Sequence, residues 1–577
     1  MFKPDSMCEV NIIFQKEKLN DLTDVLYEQE LIEFFDIKNT DFEKFDHHDL
    51  NELSAKLLKI RSCITILKEN YKKDLGNYQE NAIDRTLELK NEIDELNKDL
   101  IKLEDEYKRS QIVKHLKLTP EEVKSKKITI GFVSDYKIKS FLDFRKLKVD
   151  YKTYQKDDRV YFYAKTKNVP FKFKDFYLPK ESESNLNVKI TKTENSIAKC
   201  ELELRKLANN NLEHLRFLEH KLRKEVEVLE SKPKFSTTKN ITIVSGFVPK
   251  KSVKKFELAV NATLEGKCEI IIKDAKSKDI PIQLSNTHTV SKFEELLHMY
   301  SLPKYGEFDP TWLMFLIFPI FFGFILGDVI YGLISLIFFS ILRLKFKEMK
   351  NFLAILQFSS VMSIVFGIIY GEFMGYELHG SFYGFFERAH HPETLLLFAV
   401  IFGLIHINLG LIIGMVNSMP DWKKAIYDKA SYMVLQIGVG IIYLGFTTGD
   451  LIAKIIGWSL LALSIVLIYL GHGFIGIMEV PSFFTNILSY ARLMAVGLSS
   501  VAIAILINDF SAVFFSKGAF GIVAGVLLFT LGHIFNIALG VFEGFLHTLR
   551  LHYVEFFTKF YSGGGREFKP FGKKTYE

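Results

Sequence analysis

The 577-residue chain has only four cysteines, Cys8, Cys63, Cys200 and Cys268, and their spacing fits no zinc or redox motif. They read as free buried thiols in a reducing compartment. There is no G-x-x-x-x-G-K-[ST] loop, and Gly563-Gly564-Gly565-Arg566 follows a helix instead of opening one. Nucleotide hydrolysis is therefore not expected of this chain, and nothing in it calls for a cofactor or a metal. A net charge of +6 is small for this length and gives no case for nucleic acid. The first ten residues, MFKPDSMCEV, lack the apolar run of a signal peptide, so the polar half is expected to stay in the cytoplasm.

What the chain has in plenty is unevenly placed. It is 48% hydrophobic with 53 Phe, yet Lys, Glu and Asp dominate to about Glu307, and Phe, Ile, Leu and Gly dominate from Pro310 onward. The pattern predicts a cytoplasmic domain over 1–307, a transmembrane domain over 308–560 and a basic cytoplasmic tail over 561–577. In the first domain, Met7 to Phe14 reads as a strand followed by an amphipathic helix to about Gln29. Leu89, Ile93, Leu96, Leu100, Leu103 and Tyr107 recur at steps of four and three, the spacing of a coiled coil. Ile190, Ile197, Cys200, Leu204, Leu207, Leu215, Leu218 and Leu222 answer them, which suggests an antiparallel helical hairpin; a bundle of ordinary amphipathic helices is the alternative. Ile128 to Val133, then a short helix carrying Phe141, resembles Ile241 to Val248, then a helix carrying Phe256. The expected fold is thus an α+β rod, a coiled-coil hairpin with two α/β lobes, joined to an all-α polytopic membrane domain.

Apolar segments fall at about 311–343, 351–375, 395–417, 430–450, 454–476, 480–508 and 519–550. The first is about 50 Å long as a single helix, against a hydrocarbon core of about 30 Å. Pro319, Gly323 and Gly327-Asp328 can divide it in two, giving about eight helices. With both termini cytoplasmic, Arg343-Leu344-Lys345-Phe346-Lys347, Lys423-Lys424 and the basic C-terminal residues Arg566, Lys569, Lys573 and Lys574 all fall inside, as the positive-inside rule asks.

Residues 479–508 read as one membrane helix with Arg492 near its middle. An arginine there costs about 2.5–3.5 kcal/mol on insertion scales and lies too far from either end to snorkel, so it marks function unless it is paired in the bundle for structure alone. Ser489, Tyr490 and Ala491 beside it suit a face turned to protein or water. In the last segment Glu543, His547 and Arg550, spaced i, i+4, i+7, share one helical face. His533 and Asn536 point inward with Glu543 by phase and are candidates to line a water cavity. Asp328 and Glu372 are as compatible with the headgroup region as with a functional place.

These residues carry a family resemblance. Tyr305 to Asp328, Ser489-Tyr490-Ala491-Arg492-Leu493, Leu546 to Phe556 and Lys559 to Phe571 resemble stretches of subunit a, or subunit I, of rotary V/A-type ATPases, the stator ion-channel subunit. The likeness implies a noncatalytic subunit of the cell membrane. Two aqueous half-channels in it carry H⁺ or Na⁺ to a rotating proteolipid ring, and Arg492 with Arg550 meets the ring carboxylate. Ser489 belongs to the channel-arginine motif. Glu479 is similar in position to a half-channel carboxylate, while Glu543 and His547 resemble the polar residues preceding the second arginine. Peripheral-stalk subunits would hold the first domain, a central-stalk ring-capping subunit can also touch it, and the lipid bilayer surrounds the rest. Two departures stand out. Some relatives place a histidine where this chain has Ser500, and Glu543 stands closer to Arg550 than in some relatives. The competing classes are an independent secondary transporter, disfavoured by the lack of an inverted repeat, and a membrane anchor, for which two arginines at membrane depth are expensive.

Overall fold

The structure, a computed structural model, describes residues 3–35, 48–68, 81–116, 118, 129–134, 151–156, 159–166, 173–179, 181–276, 279–378, 384, 388, 390–419 and 421–572. The helix expected around Phe141 and the residues Lys573 and Lys574 lie outside them. The chain divides into two compact units, 44–233 and the remainder.

In the first unit, α2 (His48–Lys68), α3 (Ala82–His115) and α4 (Glu183–Ser231) pack along one core. Cys63, Leu89, Cys200, Leu204, Leu207 and Leu212 are buried there, so the hydrophobic repeat does face a partner helix. Arg85 pairs with Glu203 at 2.8 Å and Lys114 with Glu183 at 2.8 Å, which makes α3 and α4 antiparallel. Such exposed pairs fix register and add at most about 1 kcal/mol each. Burial pushes the Cys63 thiol up to about 11. At pH 8 this thiol is expected to resist alkylation in the folded protein and to label only on unfolding, which mass spectrometry of pulse-labelled protein checks. A sheet of order β4-β5-β3-β6 completes the unit, from β3 (Thr129–Ser134), β4 (Tyr151–Lys156), β5 (Arg159–Ala164) and β6 (Lys174–Asp175).

The second unit opens with β1 (Met7–Gln15), where Val10, Ile12 and Phe14 alternate inward with the period of a half-buried strand. Around it a second sheet has the order β2-β8-β1-β9, from β2 (Glu33–Phe34), β8 (Ile241–Pro249) and β9 (Cys268–Asp274), with β7 (Ser236–Thr237) also on β8. Helices α1 (Leu19–Gln29) and α5 (Val253–Thr263) pack together through buried Leu22, Leu26, Phe256 and Val260. The two sheets repeat one device. Gly131 of β3 faces the two-residue strand β6, and Gly246 of β8 faces the two-residue strand β2. A Cβ on Gly131 would stand 2.8 Å from the Lys174 carbonyl, and one on Gly246 2.8 Å from that of Glu33. Only glycine admits the short edge strand so closely.

The C-terminal tail does not hang free over its described residues. Pro281–Ile282 (β10) pairs in parallel with Arg566–Glu567, the last strand. Arg566 binds Glu33, the Phe571 amide donates to the Ile32 carbonyl at 2.7 Å, and the Phe571 ring meets Tyr27 and Phe34.

After the short helix α6 (Glu294–Tyr300), the apolar segment from Thr311 divides at Gly327–Asp328 into α7 (Thr311–Leu326) and α8 (Val329–Lys345). Gly327 closes the first helix, and the Asp328 carboxylate accepts from the Tyr331 amide at 2.9 Å to cap the second. At 16 and 17 residues both are shorter than a hydrocarbon core, about 24–26 Å against 30 Å. Beyond them, six helices among the described residues are long and apolar enough to cross a membrane: Lys350–Tyr370, Pro392–Ser418, Trp422–Thr448, Leu451–Gly471, Gly473–Phe515 and Gly518–Lys559. The first two are α9 and α10, and the third contains α11 (Ser431–Thr448). The rest are α12 (Leu451–Leu488), interrupted where Gly473 takes φ 64°, α13 (Ala491–Phe515) and α14 (Gly518–Arg550).

Candidate functional site

The segment 479–508 lies within one apolar span, Gly473–Phe515. At Ser489 and Tyr490 the backbone stays right-handed helical but tightens to i→i−3 hydrogen bonds between α12 and α13, so Arg492 lies just past this tightened turn, near the middle of the span. Tyr490 anchors that turn. It is fully buried, and a 2.8 Å hydrogen bond joins its hydroxyl to His406 Nδ1 on α10. A Cβ at Gly403 would come within 2.6 Å of its ring, so the α10 glycine makes the seat. The Ser489 hydroxyl donates back to the Thr485 carbonyl at 2.9 Å.

Arg492 is 21% exposed, and its Nη1 lies 3.8 Å from a carboxylate oxygen of Glu555, which is 2% exposed. That is an ion pair beyond hydrogen-bond length. Among the described residues, Arg492 Nη1 and Glu555 Oε2 have no hydrogen-bond partner. Arg550 stands within electrostatic reach of both, and His547 within reach of Arg492, Arg550 and Glu543. The fold thus gathers Arg492, Arg550, Glu543 and His547. Arg550 is exposed and the other three are partly exposed, beside Leu546 and Val554, both large exposed apolar residues.

Glu555 was hidden from a helical-phase argument. An α-helix would set it about 140° away from Arg550. The backbone from Leu551 to Phe556 is a π-helical turn, whose N–H groups reach back five residues, and this brings Glu555 round toward the arginines.

The other expected residues lie elsewhere. Glu479 is exposed on α12 and comes near Lys429 and Lys559 instead of Arg492. His533 and Asn536 are 2% and 1% exposed and belong to a buried hydrogen-bond network. A 2.6 Å hydrogen bond links Tyr331 to His533 Nδ1, and another of 3.0 Å links His533 Nε2 to Asn508 Oδ1. Asn536 donates to the Tyr331 hydroxyl at 3.0 Å and to the Ser500 carbonyl at 2.9 Å. Protein groups bond them, so they clamp α8, α13 and α14 together. Asp328 and Glu372 are buried as well. Glu372, in the hairpin Glu372–Phe373 and Tyr376–Glu377, forms a two-contact ion pair with Arg388, and both are 1% exposed. Arg388 also donates to the Ile325 and Gly327 carbonyls at the end of α7, at 3.1 and 3.0 Å.

A sequence profile of the V-type ATPase 116kDa subunit family matches residues 162–395 and 482–572, more than half of the chain and including the arginine turn and α14. The chain belongs to this family. It is 27% identical to the A-type ATP synthase subunit I of Archaeoglobus fulgidus over an alignment of 682 residues, covering 99% of each chain. It is 34% identical to the A-type ATP synthase subunit I of Pyrococcus horikoshii, over 57% of this chain and 53% of that one. The V-type ATP synthase subunit I of Borreliella burgdorferi is 25% identical over 58% of this chain and 60% of its own. The chain therefore spans the whole of the Archaeoglobus relative and about half the length of the Pyrococcus one.

Proposed function

We propose that this member of the V-type ATPase 116kDa subunit family is the noncatalytic stator of a membrane-bound rotary ATPase, passing H⁺ or Na⁺ between two half-channels and a turning proteolipid ring. The observation that carries the reading is the arginine pair. Two guanidinium groups share a surface of α13 and α14 with Glu543 and His547, and the nearer acid, Glu555, leaves Arg492 incompletely bonded. A ring carboxylate arriving at that surface finds an oriented cation in low dielectric. Its ionised form is stabilised, its ion is released, and direct leakage past the cation is blocked. Arginine suits the task because it stays charged when partly desolvated.

In this reading α7 and α8 make a short pair that dips through the bilayer, giving eight spans with cytoplasmic termini. The domain 1–307 binds peripheral-stalk subunits that hold the chain still while the ring turns, and 308–560 carries the ions. Glu479, near Lys429 and Lys559 at the cytoplasmic end, belongs to one half-channel. Glu543 and His547 border the arginines, and His533 and Asn536 hold the helices that present them. Cysteine cross-linking in the assembled complex tests the face directly. Leu546→Cys, one turn before Arg550, is expected to cross-link to a ring subunit, and Ile337→Cys on α8 is not. Cross-linking from Ile337 and not from Leu546 would place the ring on the wrong side of the bundle.

A further inference from the structure

Between α8, α9 and α14 lies a groove of about 460 Å³. Ile334, Phe338, Phe352, Ile534, Ala538 and Phe545 line it, and Phe338 and Ile534 are more than half exposed. Its volume is that of a ligand site and its walls are almost wholly apolar. Ser335 also lines the groove; it is 2% exposed and its hydroxyl has no partner among the described residues.

One end of the groove is strongly basic. Arg343 stands one turn past Phe339 on α8, and Lys350 opens α9 two residues before Phe352. Lys292 lies over the Phe358 ring at 5.7 Å, close enough to Arg343 and Lys350 to be repelled by both. Burial first, and that repulsion second, hold the Lys292 ammonium below its ordinary value. Arg343 donates to Gln357 at 2.8 Å, while its Nε is buried with no partner. Among the described residues none of the three cations is paired with a carboxylate. An apolar slot running from such a cluster complements a molecule with a long apolar chain and an anionic head.

We propose that this groove holds an acyl chain of one anionic phospholipid, with its phosphate on Lys292, Arg343 and Lys350. The proposal rests on the bilayer reading of these helices but not on the arginine mechanism. Bound there, the lipid would add to the Tyr331 hydrogen bonds that already join α8 to α14.

The test is native mass spectrometry of the full chain released from vesicles of phosphatidylglycerol mixed with phosphatidylcholine. One phosphatidylglycerol per chain is expected to survive where phosphatidylcholine does not. Arg343→Gln with Lys350→Gln should weaken its retention roughly thirtyfold, at about a decade or less per cation. Ala538→Trp, which fills the groove from an exposed position, should abolish retention with the charges intact. Equal retention of the two lipids in the wild type overturns the proposal without any variant. So does displacement by inorganic phosphate, or insensitivity to Ala538→Trp, since either leaves an anion site with no chain in the groove. Cross-linking of Ala538→Cys to another subunit in the complex would show a protein in its place.

Discussion

Glu372→Gln is expected to destabilise the membrane domain by about 3 kcal/mol, at the low end of the 3–5 kcal/mol typical of breaking one side of a buried ion pair. Arg388 is 1% exposed and cannot turn to water, so losing the carboxylate leaves its charge buried. The loss stays at the low end because the Ile325 and Gly327 carbonyls still accept from it. Thermal melting in detergent measures the change. A double variant, Glu372→Gln with Arg388→Met, should recover part of the loss, because the unpaired charge is gone. Wild-type melting of Glu372→Gln would mean that the pair does not hold the hairpin to the end of α7.

The larger functional effect is expected at Arg492. At an effective dielectric near 20, a carboxylate about 4 Å from a guanidinium gains about 4 kcal/mol, or about three pKa units for the ring acid. Arg492→Gln removes that gain and should slow ion release by about three orders of magnitude. Folding should survive, because the side chain is 21% exposed and its contact with Glu555 is only 3.8 Å long. Arg492→Lys should not restore wild-type coupling, since a desolvated ammonium loses its charge more readily and lacks the planar fork.

The sequence exposed the parts of this architecture that obey short-range rules. The i, i+4, i+7 spacing placed Glu543, His547 and Arg550 on one face, and the structure gathers them with Arg492. Gly327-Asp328 announced the break between α7 and α8 because a glycine stop followed by an aspartate cap is a local signal. Where the helix departs from 3.6 residues per turn, phase arguments failed: Glu555 comes round to Arg492 through a π-helical turn. Partners distant in sequence stayed invisible. Asp328 and Glu372 resembled headgroup residues until Arg388 and the Met374 amide were brought to them. The hydrogen bonds of His533 to Tyr331 and Asn508, 202 and 25 residues away, had no local signal. The tail read as merely basic, whereas Phe568 is buried and Phe571 packs against residues near the opposite terminus.

ATP-driven ion uptake into sealed vesicles bearing the assembled complex, compared between wild type and Arg492→Gln, tests the central claim most directly. Uptake should vanish in the variant while the complex still assembles and still hydrolyses ATP once detergent uncouples it. Uptake at the wild-type rate would make Arg492 a structural residue and remove the ion path from the α13–α14 face.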